Sequence, residues 1–306
     1  MPPRSPLPPR HGLQAAWVRT PDRGKESPDW ETLSDFLLFK IAKHAPTAQM
    51  LADGRFVLDD GTPITGREPY RPHTFIWFHR DRRNEPVVPF TIELLYADER
   101  IVVVDKPHFL ATIPRGNHVL QSVVVRVRNE LGFPDASPAH RLDRLTAGVL
   151  VLTTEKKWRG AYQEAFRHRQ IHKRYEALAP ISDSLEFPQV VRNHVVKERG
   201  NLQAVVYPDR EPNSETLVEL AERRGHIGRY RLAPITGRTH QLRVHLNALG
   251  IPIMGDPLYP TIQDVDLDDF STPLQLVARE LSFIDPVDGT RRHFASKIPL
   301  DWPTND

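Results

Sequence analysis

A run of four apolar β-forming residues at positions 149–152, Val-Leu-Val-Leu, directly follows a polar stretch that holds an acid between two arginines. Such a run, without the alternation of a half-exposed strand, is typical of a strand buried on both faces. Thr146, Ala147 and Gly148 predict a turn into it. Asp143 is therefore expected on a loop that feeds a buried strand, where a rigid support holds its side chain at the edge of a cleft.

The chain before this strand has three kinds of segment. Residues 1–29 are Pro-rich and polar and predict a flexible leader. Residues 30–80 predict a small accessory domain with a helix capped by Thr32, a second short helix, a hairpin around the Asp-Gly turn at positions 60–61, and an aromatic strand. Residues 81–89 combine charge with proline and predict a linker.

Strands and helices alternate from residue 90 onward. The strands are predicted on either side of a turn at 98–99 and at 149–152, 172–180, 215–221, 228–234, 274–283 and 291–298, and the helices at 121–131, 156–169 and 239–249. The segment 121–131 also has the alternation of a strand, but Val124, Val127 and Leu131 share one helical face, so we favour a helix. Residues 183–214 are predicted to be loop-rich. The pattern indicates an α+β catalytic domain over residues 90–306 with a mixed, mainly antiparallel sheet.

The composition narrows the class of protein. The chain has 306 residues, of which 39% are hydrophobic, enough for two domains with a core. It has no cysteine, which excludes disulfides, thiolate metal sites and a cysteine nucleophile. No apolar run approaches the roughly 20 residues of a membrane span, and the basic, Pro-rich N-terminus lacks the apolar segment of a secretory signal. We expect a cytoplasmic protein that does not contact membranes.

Charge is spread unevenly although the formal net charge is only +2. Residues 141–175 contain nine lysines and arginines and three acids. Compensating acids lie elsewhere, for example in the loop around residues 264–269. A basic stretch beside a candidate catalytic acid suggests a polyanionic substrate, although a solvated helix face is the ordinary explanation of a charge run.

Several common chemistries are not supported by the motifs. His240 and His245 are five residues apart, which does not align them on one helix face, and no glutamate lies between them, so a metal site is not predicted. No G-x-S-x-G elbow of a serine hydrolase occurs. No phosphate-binding or dinucleotide-binding glycine pattern occurs either.

Four motifs in order identify a family resemblance. They are VVVDKP (residues 102–107), HRLDRLTAGVLVLT (140–153), KRYEALAP (173–180) and GRTHQLRVHLNALGIPIMGDPLY (237–259). Together they resemble the pseudouridine synthases of the RluA/RsuA group, most closely the RluA type, over roughly residues 90–300. Ala147 departs from the pattern, since the family more often has serine there. Residues 30–80 also vaguely resemble the alpha-L RNA-binding module, here in a degenerate form with few basic residues.

The resemblance implies an RNA pseudouridine synthase, an isomerase that needs no metal or organic cofactor. Asp143 matches the family's catalytic aspartate, Tyr175 its active-site tyrosine, and Arg238 the arginine that pairs with the aspartate. A carboxylate can serve as a nucleophile toward carbon 6 of the uracil or the anomeric carbon of the ribose, and the sequence does not choose between them. A tyrosine can stack on the base and help to remove the proton from carbon 5. The base must be flipped out of the RNA stack to be reached.

The resemblance also implies an RNA partner, ribosomal or transfer RNA, and a monomer without an obligate protein partner. The candidate RNA-contacting residues are Arg141, Arg144, Lys156, Lys173, Arg174, His240, Gln241 and Arg243. The last three can instead serve to orient Arg238. The alternative class is a non-catalytic RNA-binding protein on the same fold, against which the catalytic set argues. Neither the modified uridine nor RNA binding by the accessory domain follows from the sequence.

Overall fold

The computed structural model describes residues 2–22, 24, 29–41, 45–81, 85–116 and 118–303. The chain forms two compact units, Met1–Asn84 and Glu85–Asp306. The division falls inside the predicted linker at 81–89. The part of that linker from Glu85 onward belongs to the second unit, because the Glu85 carboxylate accepts backbone N–H groups of residues 119–121 at 2.9–3.0 Å.

The described part of the first unit contains two helices, α1 (Leu33–Ile41) and α2 (Thr47–Ala52). Thr32 begins α1 as predicted. Its Oγ1 accepts the N–H of Asp35 at 3.1 Å, and the Asp35 carboxylate accepts the N–H of Thr32 at 2.9 Å. This reciprocal capping box satisfies backbone donors that the first turn of the helix would otherwise leave without partners. The Asp-Gly turn closes between Val57 and Pro63, which form a single antiparallel bridge.

The expected leader takes part in the fold of the first unit. Strand β1 (Ala16–Arg19) pairs antiparallel with β2 (Phe75–Phe78), the predicted aromatic strand. The alternate residues of this ribbon, among them Val18 and Ile76, pack on the core around α1. Residues 16–19 are thus an ordered strand, and the prediction of a flexible leader over 1–29 is wrong for them. A run of four residues is too short to show its period without its distant partner strand.

The described part of the second unit has one ten-stranded sheet and three α-helices. The strands are β3 (Glu93–Ala97), β4 (Ile101–Lys106), β5 (Ser137–Pro138), β6 (Ala147–Thr153), β7 (Ile171–Pro180), β8 (Gln189–Asn193), β11 (Ser214–Arg224), β12 (Ile227–Pro234), β13 (Leu276–Ile284) and β14 (Arg291–Ala295), while β9 (Val195–Val196) and β10 (Val205–Val206) form a separate ribbon. The helices are α3 (Val123–Glu130), α4 (Arg159–Arg167) and α5 (Gln241–Ala248).

The sheet is antiparallel except at one place among the described strands. Its main path runs β3-β4-β6-β13-β7-β12-β11-β8, with β5 paired to β6 and β14 to β13. The parallel pair is β6 with β13, where residues 147 and 148 lie opposite residues 277 and 278. The prediction of an α+β fold with a mainly antiparallel sheet is confirmed. Two strands of the sheet were missed. β8 lies in the polar stretch predicted as loops, and β5 has only two residues.

Strand β6 is buried along its whole length, as its unbroken apolar run predicts. Leu150 and Leu152 pack into the core that includes α3 and α5. Val149 and Val151 pack on the other face with residues of α4. Each buried side chain of this size contributes about 1.5–3 kcal/mol relative to an exposed one. The strand that follows Asp143 is therefore held from both sides.

Gly148 allows β6 to approach β13 closely. Its φ is +115°, and an added Cβ would lie 2.3 Å from the carbonyl oxygen of Ala278. No other residue type fits this backbone conformation and this contact together. Residues 147 and 148 already belong to β6, so the chain enters the strand one residue after Thr146 and the turn predicted at 146–148 does not include Ala147 or Gly148.

Candidate active site

The loop that carries Asp143 has four successive carbonyl groups with hydrogen-bond partners. The Leu142 carbonyl accepts the Thr112 hydroxyl at 2.7 Å, and the Asp143 carbonyl accepts the N–H of Thr146 at 3.2 Å. The carbonyl of Arg144 accepts a hydrogen bond from the Lys106 ammonium at 3.1 Å, and the carbonyl of Leu145 accepts one from the His108 ring at 2.7 Å. A loop fixed at four consecutive peptides holds the Asp143 side chain in one place before a substrate arrives.

The donors to residues 144 and 145 come from the last residue of β4, within the VVVDKP motif, and from the segment just after it. Lys106 is fully buried, and its ammonium donates to the carbonyls of Pro107, Leu110 and Arg144 at 2.7–3.1 Å. Burial lowers the pKa of Lys106 to about 7, and the negative charge of Asp143 opposes that shift. His108 donates through Nδ1, and burial lowers its pKa to about 4, so it is neutral. The motif and the acid are thus parts of one structure.

His140 shapes the loop. Its Nε2 accepts the N–H of Val151 at 3.1 Å, and its ring stacks on Phe166 at 4.3 Å with an interplanar angle of 17°. Burial lowers the pKa of His140 to about 3, and the positive charge of Lys173 lowers it further. The neutral ring is required, because a protonated Nε2 could not accept the backbone hydrogen bond.

A cavity of about 1260 Å³ opens above the Asp143 loop in the second unit. Its wall combines the loop, the last turn of α4, the first part of β7 and the segment that leads into α5. Pockets for single small molecules occupy about 300–1,000 Å³. This cavity therefore has room for more than one nucleotide unit.

The wall of the cavity is strongly basic. Two acids, Asp143 and Glu280, stand against nine lysines and arginines, and six of these cations form no ion pair with any residue that the structure describes: Arg115, Arg141, Arg144, Arg169, Lys173 and Arg238. Unpaired cations around a concave surface attract a polyanion. Arg141, Arg144 and Lys173, which are predicted to contact RNA, thus all line the cavity.

Tyr175 lines the same cavity from β7 and is half-buried. Burial raises the pKa of its phenol, and the negative charge of Asp143 raises it further. The two predicted catalytic residues are therefore close enough to interact electrostatically. The phenol stays protonated at neutral pH, which leaves stacking on a base as a role for Tyr175 but disfavours the predicted role as the acceptor of the carbon-5 proton.

The structure assigns the buried arginine of the site to Arg243 and not to Arg238. Arg238 is exposed, and its Nε donates a hydrogen bond to the carbonyl of Asn213 at 3.2 Å. No ion pair joins Arg238 to Asp143 in the described part of the chain. Arg243 is 2% exposed and binds Asp256 through two hydrogen bonds of 2.7 and 2.5 Å. Burial alone would lower the pKa of Arg243, but Asp256 and then Asp143 outweigh it and raise that pKa.

The ion pair predicted between Arg238 and Asp143 is therefore not formed in the described part of the chain, and Arg243, which also lines the cavity, is paired with Asp256. Both arginines lie in one motif, but only the second lies within α5. There it is next to the core residues Leu242 and Leu246, so its side chain points inward and needs the counter-charge of Asp256.

Two other residues of this motif are structural as well. Gln241 is buried, and its side-chain oxygen accepts the N–H of Arg238 at 3.0 Å while its amide donates to the carbonyl of Glu215 at 3.0 Å. It thus orients the Arg238 backbone, the alternative considered above. His240 lines the cavity, and its Nδ1 is 3.0 Å from the hydroxyl of Tyr259, whose ring packs on the Arg243 guanidinium.

The basic helix predicted at residues 156–169 contributes other residues to the cavity than the predicted Lys156. Lys156 lies in a 3-10 turn before α4, is exposed, and does not line the cavity. Arg174 lines it but forms an ion pair with Glu280. The last turn of α4 and the residues after it supply Phe166, Arg167 and Arg169 to the wall. The RNA-contacting role of Lys156 is therefore not supported by its position.

No group of three or more potential metal-ligating side chains occurs among the described residues. The described helices are also too short and too polar to cross a membrane.

Comparison with known proteins identifies the family. Residues 100–248 match the family model described as RNA pseudouridylate synthase. The Dual-specificity RNA pseudouridine synthase RluA of Vibrio parahaemolyticus is 36% identical over 222 residues, which cover 66% of this chain and 81% of that protein. The protein of the same name from Salmonella typhi is 33% identical over 231 residues, 72% of this chain and 97% of that protein.

A solved structure agrees in fold. Human RNA Pseudouridylate Synthase Domain Containing 1 superposes with a TM-score of 0.56 at 24% identity, covering 71% of this chain and 87% of that one. The chain thus belongs to the RNA pseudouridine synthase family. The predicted RluA type and the predicted isomerase activity are confirmed by these relatives, which do not favour the non-catalytic alternative.

Proposed function

We propose that Asp143 is the nucleophile with which this enzyme isomerises uridine in RNA. The observation that supports this most directly is the convergence of an unpaired carboxylate, a fixed loop and a basic cavity. Asp143 has no ion pair and no side-chain hydrogen bond with any described residue, so its oxygens are available for reaction. The neighbouring acid of the cavity, Glu280, is paired with Arg174.

Two buried cations support the charge of this carboxylate. Lys106 and Arg243 each interact electrostatically with Asp143, and neither comes close enough to form an ion pair with it. A positive charge at this range stabilises an anion without covering its oxygen atoms. We assign Arg243, held by Asp256, the role that the sequence suggested for Arg238.

The reaction begins with attack by the carboxylate oxygen on carbon 6 of the uracil or on the anomeric carbon of the ribose. The bond between N1 and the anomeric carbon breaks, the base turns, and carbon 5 bonds to the anomeric carbon. The bond between the Asp143 oxygen and the substrate carbon breaks again, which regenerates the carboxylate. A proton leaves carbon 5 and one is gained at N1, so no atom is added or lost overall. Because Tyr175 keeps its own proton, the released carboxylate of Asp143 is the group placed to accept the one from carbon 5.

The neighbouring surfaces bind the RNA around this centre. A base inside a stacked helix cannot reach Asp143, so the target uridine is flipped into the cavity, where Tyr175 packs against its ring. The six unpaired cations of the wall bind the flanking phosphates. Binding of an entire flipped nucleotide with its neighbours agrees with the size of the cavity.

We infer that the substrate is ribosomal or transfer RNA and that the enzyme works on it in the cytoplasm as a monomer. The relatives named as dual-specificity RNA pseudouridine synthases support this range of substrates. Pseudouridine mapping of total RNA from a strain without this protein identifies the position, because the missing modification marks the target. Sedimentation of the purified protein tests the monomer.

The variant Asp143→Asn tests the nucleophile. It keeps the size of the side chain and removes its charge, so the conversion of uridine to pseudouridine is expected to fall below detection while thermal unfolding is unchanged. Glu280→Gln is the matched control, since it neutralises the other acid of the cavity, and we expect it to retain conversion. Turnover by Asp143→Asn on an RNA that the wild type modifies would refute the assignment.

A further inference from the structure

The ribbon of the first unit has an outer face that the core does not cover. Its register places Trp17 opposite Trp77 and Arg19 opposite Phe75. Trp77 is buried, and its indole N–H donates to Asp59 at 2.7 Å. Trp17, Arg19 and part of Phe75 remain accessible to solvent.

Trp17 presents a large apolar side chain to solvent, since it is 45% exposed. Its ring centroid is 5.3 Å from that of Phe75, and the guanidinium carbon of Arg19 is 5.7 Å from the centroid of the same Phe75 ring. Two adjacent rings and a cation thus form a continuous surface, which we call the aromatic strip: Trp17, Arg19 and Phe75.

Positive charge continues at the other end of the ribbon. His79 follows β2, and its pKa is lowered by burial and next by the charge of Arg10, which places that arginine nearby. Arg10 and Arg19 are exposed and form no ion pair with a described residue. The exposed aromatic surface therefore lies between two exposed arginines that form no ion pair with a described residue.

We propose that the aromatic strip binds an unpaired segment of RNA, with a base stacked on Trp17 and phosphates beside Arg10 and Arg19. This rests on the proposed function in so far as RNA is taken to be the ligand. Bases in a duplex have no free face, whereas bases of a single strand stack on exposed aromatic rings. Exposed arginines without an ion pair at both ends fit a polyanion that runs along the ribbon.

Binding of the full chain to a labelled, unstructured RNA of about a dozen nucleotides tests the strip, by fluorescence anisotropy at several salt concentrations. Trp17→Ala is expected to weaken binding roughly 5- to 150-fold, the equivalent of about 1–3 kcal/mol for a stacked base. Trp17→Phe keeps a ring and is expected to restore most of the affinity. Arg19→Gln is expected to reduce the slope of log affinity against log salt by about 0.7.

Phe39→Ala is the matched control. Phe39 is 59% exposed in the same unit, but no described cation lies over its ring. The affinity of Phe39→Ala for the single-stranded RNA is therefore expected to equal that of the wild type. A blunt RNA duplex is the second control, and Trp17→Ala is expected to bind it as the wild type does. Equal loss on single strand and duplex, no loss at all, or a changed oligomeric state of Trp17→Ala would each overturn the proposal.

The conversion of uridine at saturating RNA separates this inference from the proposed function. We expect Trp17→Ala to retain the wild-type rate there, because the strip contributes binding and not chemistry. If the wild type converts no uridine, the proposed function fails. The anisotropy measurements still test the strip in that case, because they compare RNA binding by the wild type and by Trp17→Ala. If conversion is normal and Trp17→Ala binds RNA as the wild type does, the strip alone is refuted.

Discussion

Replacing Arg243 by methionine tests which arginine of the GRTHQLR motif supports Asp143. The guanidinium makes two hydrogen bonds to Asp256, and both side chains are almost inaccessible to solvent. Methionine keeps the apolar volume and removes the charge. We expect Arg243→Met to lose conversion of uridine, because a cation that stabilises the nucleophile is gone.

The effect on stability follows from the partner that is left behind. In Arg243→Met the Asp256 carboxylate keeps only the N–H groups of Leu258 and Tyr259, at 2.9 and 3.2 Å. Removing one member of a buried ion pair costs about 3–5 kcal/mol. A second change, Asp256→Asn, removes the uncompensated charge and retains an acceptor for both N–H groups. The double variant is therefore expected to regain all but about 1–2 kcal/mol.

Equilibrium unfolding in urea measures the stability, and single-turnover conversion at saturating RNA measures the chemistry. The expected combination is a double variant with recovered stability and no recovered activity. Arg238→Met is the matched control. Its side chain is exposed and makes one hydrogen bond to protein, so we expect a loss of stability within about 1 kcal/mol, an unchanged rate at saturation and a raised KM.

Two outcomes would contradict this assignment. If activity returned together with stability in Arg243→Met/Asp256→Asn, Arg243 would serve only the fold. If Arg238→Met lost the rate at saturation, the exposed arginine would be the one that acts on the carboxylate, as the sequence alone suggested.

Three further predictions follow from the site. Tyr175→Phe is expected to keep the single-turnover rate within about tenfold of the wild type, since the protonated phenol does not accept a proton, whereas Tyr175→Leu loses the aromatic face and is expected to be far slower. Lys106→Met leaves three buried carbonyls without a donor, so urea unfolding should show a loss of roughly 1–3 kcal/mol, and a rate equal to the wild type's would argue against a fixed loop. The pKa of His140 is lowered from the ordinary histidine value of 6.5 to about 3. Between pH 6.5 and pH 3 the unfolded chain therefore binds a proton at His140 that the folded chain does not, so the free energy of unfolding falls by about 1.4 kcal/mol for each unit by which the pH is lowered. The free energy of unfolding of His140→Gln should depend on pH less steeply by this amount.

Much of the fold could be predicted from the sequence, because several helices and strands are determined by residues that are close together in the chain. The apolar run at 149–152 has no polar interruption, and it forms the strand that is buried on both faces. Thr32 and Asp35 satisfy the start of α1 within three residues of each other. The helix favoured for residues 121–131 forms at Val123–Glu130, with Val124 and Val127 in the core. Such signals need no knowledge of distant residues.

The elements that were missed depend on distant partners. Strand β1 has four residues and pairs with Phe75–Phe78, more than fifty positions away. The choice between Arg238 and Arg243 depends on where α5 begins, because Arg238 lies before the helix and Arg243 lies on its face toward the core. Asp256, thirteen residues beyond Arg243, was the available signal, since a buried arginine needs an acid. The role of Lys106 depends on carbonyl oxygens, which no residue type reveals.

The position of β13 has a consequence for the order in which the active site is made. In the sheet, β13 lies between β6, which follows Asp143, and β7, which carries Tyr175, although Leu276 is about a hundred residues beyond Tyr175 in the chain. During synthesis the two strands have emerged long before the strand that separates them. A nascent chain that has not reached residues 276–284 cannot set the nucleophile and the tyrosine at their final spacing. The basic cavity is therefore assembled late, and an incomplete chain released from the ribosome would lack the geometry for catalysis.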